Sequence, residues 1–225
     1  FGAQGNGQGM HGAIMPQMRD RAPCHDRAMI QLHYAQGNAS MAPHLLLREL
    51  GVPFELKLVD RAAGAHKSPA YLKLNPNGLI PVLVDGDLVL YETAAIVLHL
   101  VDTHPEAGLA PAVGTPERAQ FYKWLMWLSS TVQPMMTHYF YSDRMVAPGN
   151  AAGAAEVKAQ AEARIAAMID QIEARLATLP WMAGERFSAL DPYTFMLCRW
   201  TRGMQRPART LPALGPWLQK MLQRP

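Results

Sequence analysis

Residues 75–96, NPNGLIPVLVDGDLVLYETAAI, contain the turns that decide the fold. The segment Asn75–Gly78 cannot continue a helix, because proline lacks a main-chain N–H and glycine is a poor helix former. Residues 80–84 and 88–90 are two apolar runs on either side of Asp85-Gly86, which is a strong signal for a tight hairpin. The pattern predicts an antiparallel pair of strands, followed by a helix over residues 92–101.

Upstream of this stretch, the sequence predicts two further strands and two helices. The strands are expected over 30–34 and 54–59, joined by a helix in which Pro43 occupies the first turn and Gly51 follows the last. Only about twenty residues separate these strands, so a right-handed parallel crossover is the expected connection. With a short helix over 69–74, the order is βαβαββα, which resembles the thioredoxin-like fold with its cis-proline before the third strand.

Downstream of residue 103, the chain is predicted to be helical. Residues 104–115 are rich in proline and glycine, which is typical of a linker between domains. Apolar residues then recur every three or four positions over 116–146, where Pro134 predicts a kink, and over 154–179. Shorter helices are predicted over 191–203 and 213–222. The expected architecture is an α/β domain at 29–103, the linker at 104–115 and an all-α domain at 116–225.

Composition and charge exclude several classes of function. The 225 residues carry 21 Lys+Arg and 18 Asp+Glu, with 49% hydrophobic residues, as in ordinary globular proteins. The basic residues form no block, so charge gives no support for nucleic-acid binding. The longest apolar stretch, 94–101, is far shorter than the roughly 20 residues of a membrane helix, so we expect a soluble protein without a membrane partner.

The two cysteines, Cys24 and Cys198, indicate neither a disulfide framework nor a zinc site. Cys198 lies in an apolar run and is expected to be a small buried side chain. This usage fits the reducing cytoplasm, and we expect no metal.

Both ends of the chain carry weaker signals. Residues 1–28 hold five glycines in the first twelve positions and no periodicity, so we expect a disordered leader, the remnant of a tag or an overcalled start, with Met29 as the functional start. This segment lacks the apolar region of a signal peptide. A segment missing after Pro225 would alter the rim of a ligand pocket.

Three motifs together resemble the cytosolic glutathione transferases. Residues 75–83 are similar to that family's N-P-x-G-x-V-P-x-L segment, and residues 90–96 to its L-x-E-S-x-A-I segment. Residues 188–191, SALD, resemble the S/T-x-x-D capping box that opens the family's core helix. Residues 34–44 and 197–200 look most like the bacterial beta class. The resemblance extends from Met29 to the C-terminus and implies a thioredoxin-like domain followed by an all-helical domain.

The resemblance implies that glutathione, as co-substrate, binds along the third strand and the helix after it. Ile80, before a cis Pro81, would pair through its main chain with the cysteinyl part of the ligand. Glu92 and Thr93 would hold the γ-glutamyl end at a helix N-terminus. Two alternatives stay open: Pro81 as an ordinary turn proline, and Glu92 and Thr93 as helix caps.

Other contacts with glutathione are implied by position in the family pattern. His66 and Lys67 are candidates for the glycyl carboxylate, although either side chain would also suit a solvated loop. Ser130 is a candidate for a contact with the γ-glutamyl group.

Transfer requires the thiolate of glutathione, because a free thiol with a pKa near 8.5 is only a few per cent ionised at neutral pH. Ser40 is the first candidate to stabilise the thiolate, with Asn38 and Tyr34 as alternatives; Ser40 would equally serve as a helix N-cap. Ala39 stands where the beta class usually has cysteine, so a mixed disulfide cannot form there. Gln133 stands where that class has histidine.

The helical domain is expected to supply the electrophile pocket, with Met136, Tyr139 and Trp200 as candidate walls or, alternatively, ordinary core residues. The resemblance implies a cytoplasmic, homodimeric glutathione transferase that acts in detoxification and conjugates glutathione to small apolar electrophiles. Two alternatives stay open, a ligand-binding or regulatory protein without turnover and a glutathione-dependent isomerase or dehalogenase.

Overall fold

The computed structural model describes residues 29–224; the expectations for residues 1–28, Cys24 included, lie outside the described residues. Its N-terminal part has the predicted order βαβαββα, with every predicted strand end and helix end within two residues. The strands are β1 (Ile30–Tyr34), β2 (Phe54–Leu58), β3 (Val82–Asp85) and β4 (Leu88–Tyr91). The helices are α1 (Met41–Leu50), α2 (Pro69–Leu74) and α3 (Thr93–Thr103).

The four strands form one mixed sheet in the order β2-β1-β3-β4. Strands β1 and β2 are parallel, with Leu32 opposite Leu56, which confirms the predicted crossover. Strand β3 runs antiparallel to both β1 and β4, which confirms the hairpin at Asp85-Gly86. The Ile80–Pro81 peptide bond is cis, as predicted.

The two faces of the sheet bury different side chains because neighbouring residues of a strand point to opposite sides. Leu32 and Leu83, which pair across β1 and β3, have no exposed surface and belong to the large core that also contains residues of α1 and α3. Val82 faces the other side, where it packs with Tyr71 of α2 and with Val59. Helices α1 and α3 therefore cover one face of the sheet and α2 the other.

The rest of the chain is helical, as predicted. It contains α4 (Pro116–Trp127), a π-helical turn (Leu128–Val132), α5 (Gln133–Phe140), α6 (Ala151–Leu176), α7 (Leu190–Trp200) and α8 (Leu214–Leu222). The π-helical turn ends two residues before Pro134, which lies in the first turn of α5; the kink predicted at Pro134 stays a prediction. No helix within residues 29–224 has the length and apolar character needed to cross a membrane.

Helix α7 is the centre of the helical part, since residues 190–198 are all buried, the free Cys198 among them. Its first turn contains Asp191, which has no exposed surface. The Asp191 carboxylate accepts the main-chain N–H groups of Met182 and Ser188, each at 2.8 Å, and the Ser188 hydroxyl at 3.2 Å. Burial raises the pKa of Asp191 to about 7, against the lowering effect of these three bonds. The carboxylate thus joins the loop at Met182 to the start of α7.

Replacing Asp191 by alanine should lower the free energy of unfolding by about 3 to 5 kcal/mol, because two buried N–H donors lose their acceptor. The measurement is urea unfolding at pH 7 followed by circular dichroism. Asp170→Ala is the matched control: Asp170 is paired with Arg206 on the surface, so its loss should cost less than about 1 kcal/mol. Equal losses in the two variants would contradict a structural role for the buried carboxylate.

Candidate functional site

The register of the sheet brings most of the predicted site segments to one edge. Tyr34, at the end of β1, lies opposite Leu58, at the end of β2. The first residue of β3, Val82, pairs with His33 on one side and with Tyr91, the last residue of β4, on the other. The loop after β1, the loop after β2, the segment before β3 and the start of α3 consequently meet at this edge.

The loop between β1 and α1 holds Ser40 in a buried position. Ser40 is 2% exposed, and its hydroxyl lies 2.6 Å from Oδ1 of Asn38 and 3.1 Å from the carbonyl oxygen of Ala35. The same hydroxyl accepts the N–H of Ala35 at 3.3 Å. It makes no capping bond to α1, so the alternative interpretation as a side-chain N-cap is wrong. The Ser40 hydroxyl is therefore occupied within its own loop.

Asn38 is held by Ser40 and lies at the surface of a cavity. Its Oδ1 accepts the main-chain N–H of Ser40 at 2.8 Å as well as the Ser40 hydroxyl. With Oδ1 fixed in this way, the amide nitrogen Nδ2 has no hydrogen-bond acceptor within residues 29–224 and remains a free donor. Tyr34 does not line the cavity; its ring packs against His44 with the centroids 6.4 Å apart.

The cavity has a volume of about 270 Å³ and lies between the first loop and the helical part. Met136 and Trp200 line it, whereas Tyr139 does not: Tyr139 is buried beside Phe140, and the ammonium of Lys158 in α6 lies 5.0 Å from its ring centroid. The lining residues are Gly37, Asn38, Arg61, Met136, Thr137, Phe140, Tyr141, Trp200 and Arg202.

Six of these residues, including the two arginines, were not predicted from the sequence. Phe140 could have been predicted, because it lies four positions after Met136 and so shares its side of α5. Arg61 and Arg202 carry no sequence signal of this kind, since each reaches the cavity from a loop or short turn that only the packing of the two halves brings together.

The start of α3 offers unoccupied donors. Glu92 precedes the helix with φ of 72°, the only residue other than glycine within 29–224 with a positive φ, and its side chain is exposed. Thr93, the first residue of the helix, is buried. The first helical bond runs from the N–H of Ile96 to the carbonyl of Glu92, so the N–H groups of residues 93–95 have no partner in the helix. Neither the Glu92 nor the Thr93 side chain forms a hydrogen bond within the described residues, so side-chain capping does not occupy them.

Two side chains hold the segment before β3 through hydrogen bonds. The Tyr71 hydroxyl and the Asn75 amide both donate to the carbonyl of Leu79, each at 2.9 Å. Leu79 is followed by Ile80 and the cis Pro81, which precede the first ladder pair of β3. These two bonds set the position of the Ile80 main chain at the edge of the sheet.

The turn at residues 65–67 places His66 and Lys67 after β2. The Nδ1 atom of His66 is buried and has no hydrogen-bond partner within residues 29–224. Burial, followed by the positive charges of Arg61, Lys67 and Arg144, lowers the pKa of His66 below its usual 6.5. Lys67 is exposed, and its Nζ lies 3.4 Å from the carbonyl oxygen of Asn77.

The helical part contributes Ser130 and Gln133 from the π-helical turn and the start of α5. The Ser130 hydroxyl donates to the carbonyl of Met126 at 2.6 Å and is occupied within its own helix. The Gln133 side chain accepts the hydroxyl of Tyr193 in α7 at 2.5 Å. Burial, together with the negative charge of Glu92, raises the pKa of Tyr193. The Gln133–Tyr193 hydrogen bond therefore joins α5 to α7 within the helical part.

Comparison with known proteins identifies two domains of one family. Residues 39–103 match the N-terminal domain of glutathione S-transferase and residues 155–220 match its C-terminal domain. Glutathione S-transferase GST-4.5 of Xanthomonas campestris pv. campestris is 30% identical over 199 residues, covering 86% of this chain and 93% of that protein.

Solved structures of the same family are also similar. A glutathione transferase homologue from Sulfitobacter with bound glutathione superposes with a TM-score of 0.79 at 29% identity, covering 87% of this chain and 93% of that one. A sphingomonad glutathione S-transferase complexed with glutathione gives a TM-score of 0.75 at 33% identity, covering 87% and 94%.

The imidazole of His66 should titrate with a pKa below 6.5, which nuclear magnetic resonance of the ring protons measures directly. Lys67→Gln should raise this pKa, because removing a nearby positive charge makes the imidazolium less unfavourable. Lys73→Gln removes the same charge from an exposed position on α2 and should leave the value unchanged. A wild-type pKa at or above 6.5 would contradict the burial and positive surroundings of this side chain.

Proposed function

The chain belongs to the glutathione S-transferase family, and we propose that it joins the thiol of glutathione to small apolar electrophiles held in the cavity beside Asn38. Membership of this family indicates the transferase activity and glutathione as the co-substrate. The site proposed for the electrophile and the thiolate rests on the position of Asn38. This residue lines a cavity with aromatic walls, and Ser40 fixes its amide oxygen. Trp200 then contacts the electrophile, and the buried Met136 supports the same wall of the cavity.

Asn38 is the proposed donor to the thiolate, and Ser40 is a positioning residue. Lowering the thiol pKa by about two units takes about 2.7 kcal/mol of preferential stabilisation of the thiolate. A hydrogen bond from Asn38 Nδ2, together with the partial positive charge at the start of α1, suits this requirement. Ser40 was the first candidate from sequence, but its hydroxyl is buried and bonded within the loop. Tyr34 has no part in this proposal beyond packing.

Glutathione is proposed to lie along the edge where the sheet meets α3. Its γ-glutamyl carboxylate would take the free N–H groups at the start of α3 with the Thr93 hydroxyl, and its amino group would face Glu92. The Ile80 main chain would pair with the cysteinyl part. The support for this placement is that these groups have no other partner within residues 29–224 and share one edge of the sheet.

The glycyl carboxylate is proposed to contact His66 and Lys67. Lys67 brings a positive charge, and the neutral His66 can donate one hydrogen bond. Ser130 is the weakest member of the proposed site, because its hydroxyl already bonds to Met126. A contact with the γ-glutamyl group requires this bond to be exchanged or shared.

A homodimer is also proposed, and the exposed edge of the sheet supports it. Among the described residues, strand β4 pairs only with β3, and its residues Leu88 and Val89 are each 40% exposed. An unpaired strand edge with exposed apolar side chains is normally covered by another surface. A cytoplasmic location is proposed from the cysteine usage.

Asn38→Ala should keep glutathione binding by calorimetry but lose the ultraviolet absorbance of bound thiolate at pH 7, with kcat/KM for chlorodinitrobenzene lower by about a hundredfold. Ser40→Ala should cost less than about tenfold, because the Ser40 main-chain N–H still holds the Asn38 oxygen. Asn38→Asp has nearly the same shape and should raise the thiol pKa through charge repulsion. The assignment of Asn38 as thiolate donor fails if Ser40→Ala abolishes the thiolate while Asn38→Ala retains it. A wild-type protein that does not bind millimolar glutathione would favour the alternative of a protein without turnover.

Sedimentation velocity should show a dimer for the wild-type protein and a shift towards monomer for Val89→Lys, because a buried ammonium opposes pairing at the edge of β4. Val113→Lys, at a valine that is 74% exposed in the linker, is the matched control and should remain dimeric. A monomeric wild-type protein, or a Val89→Lys dimer of unchanged affinity, would contradict the proposed interface.

A further inference from the structure

The cavity beside Asn38 carries two arginines without a carboxylate partner. Arg61 follows β2, and Arg202 lies in the turn after α7, so the two guanidiniums approach from different halves of the chain. Neither takes part in a salt bridge within residues 29–224. Their bonds are to neutral groups: Arg61 Nη2 donates to the Tyr141 hydroxyl at 3.2 Å, and Arg202 Nη1 to the carbonyl of Arg199 at 3.3 Å.

In the part of the chain that the structure describes, no acidic side chain lines this cavity. Asp60, which precedes Arg61, accepts the N–H of Ala63 at 3.0 Å, and Asp143 lies on an exposed turn. Arg144 adds further positive charge beside the cavity, where its guanidinium stacks on the Tyr141 ring at 4.3 Å. The charge next to the apolar walls is therefore positive and uncompensated.

The walls are suited to a flat apolar body. Phe140 and Trp200 meet edge to face with their centroids 6.4 Å apart, and Met136 lies buried beside them. The indole N–H of Trp200 is buried without a hydrogen-bond partner among the described residues, which leaves one donor for a polar substituent.

We propose that the electrophile of this enzyme is an aromatic or similarly flat molecule that carries an anionic group, such as a carboxylate or sulfonate, bound by Arg202 with Arg61. The inference rests on the proposed function and specifies its electrophile: the body of the molecule is apolar, as proposed above, and one substituent is charged. A guanidinium binds a carboxylate through two parallel N–H bonds, and the aromatic walls take the rest of the molecule. The arginines also offset the repulsion between an anionic electrophile and the glutathione thiolate, which is negatively charged itself.

The reaction with a chloroarene shows where the charges go. Glutathione releases its thiol proton to solvent on binding, and the thiolate sulfur attacks the ring carbon that bears chlorine. A sulfur–carbon bond forms, the carbon–chlorine bond breaks, and chloride leaves with the bonding electron pair. The anionic substituent takes no part in bond making, so its contribution is to binding and orientation.

The test compares chlorodinitrobenzoate with the neutral chlorodinitrobenzamide, each rate being divided by the uncatalysed rate with glutathione. Wild type should prefer the benzoate. Arg202→Gln should lower kcat/KM for the benzoate about fivefold, mainly through a higher KM for this substrate, and change the value for the benzamide less than about twofold. Arg202→Lys should recover part of the loss. Arg209→Gln removes an arginine that does not line this cavity and should behave as wild type.

Arg61→Gln tests which of two anions Arg61 binds, the carboxylate of the benzoate or the glycyl carboxylate of glutathione. A higher KM for the benzoate supports the inference, whereas a higher KM for glutathione alone assigns Arg61 to the glycyl carboxylate and removes it from the proposal. Equal turnover of benzoate and benzamide, unchanged by Arg202→Gln, overturns the inference while the transferase function stands. Failure to conjugate either compound or to bind glutathione overturns both. Circular dichroism of each variant confirms that the fold is retained.

Discussion

The antiparallel pairing of β3 with both β1 and β4 is the constraint on which the site depends. It places Val82 between His33 and Tyr91, so that the end of β1, the start of β3 and the end of β4 share one edge of the sheet. A shift of one residue in this register would turn Leu83 out of the core and move the start of α3 away from the loop that holds Asn38. The fold and the position of the proposed ligand are consequently set by the same hydrogen bonds.

The helical part completes the site because the buried residues of α7 hold this helix in the core. Its residues are buried almost without interruption, and α1 packs directly against it, so this packing also fixes the loop before α1 relative to the turn after α7. The buried Asp191 joins α7 to the chain that enters it, at the energetic cost of desolvating a carboxylate. The cavity between Asn38 and Arg202 is therefore an outcome of core packing between the two halves.

Sequence alone could predict the elements that local signals specify. The hairpin at Asp85-Gly86 and the parallel pairing of β1 with β2 follow from turn chemistry and periodicity, whereas the cis bond before Pro81 was implied by the resemblance; the structure confirms all three. Periodicity does not predict the direction of a loop side chain. Ser40 is a residue type suited both to capping a helix and to donating a hydrogen bond to a thiolate, yet its hydroxyl points back to Ala35. The positive charge of the cavity could not be predicted from the sequence either, because Arg61 and Arg202 come together only through tertiary packing.

The choice between Asn38 and a charged group as thiolate donor has a chemical consequence. A lower thiol pKa increases the fraction of thiolate, but intrinsic nucleophilicity falls as the pKa falls, with a Brønsted coefficient of about 0.4 to 0.5. A full ion pair would lower the pKa far below neutral and weaken the attacking sulfur. A neutral amide at the start of a helix gives a smaller shift, which leaves the thiolate both populated and reactive near pH 7. In the proposed arrangement the buried Ser40 would increase activity by fixing the amide, without approaching the sulfur itself.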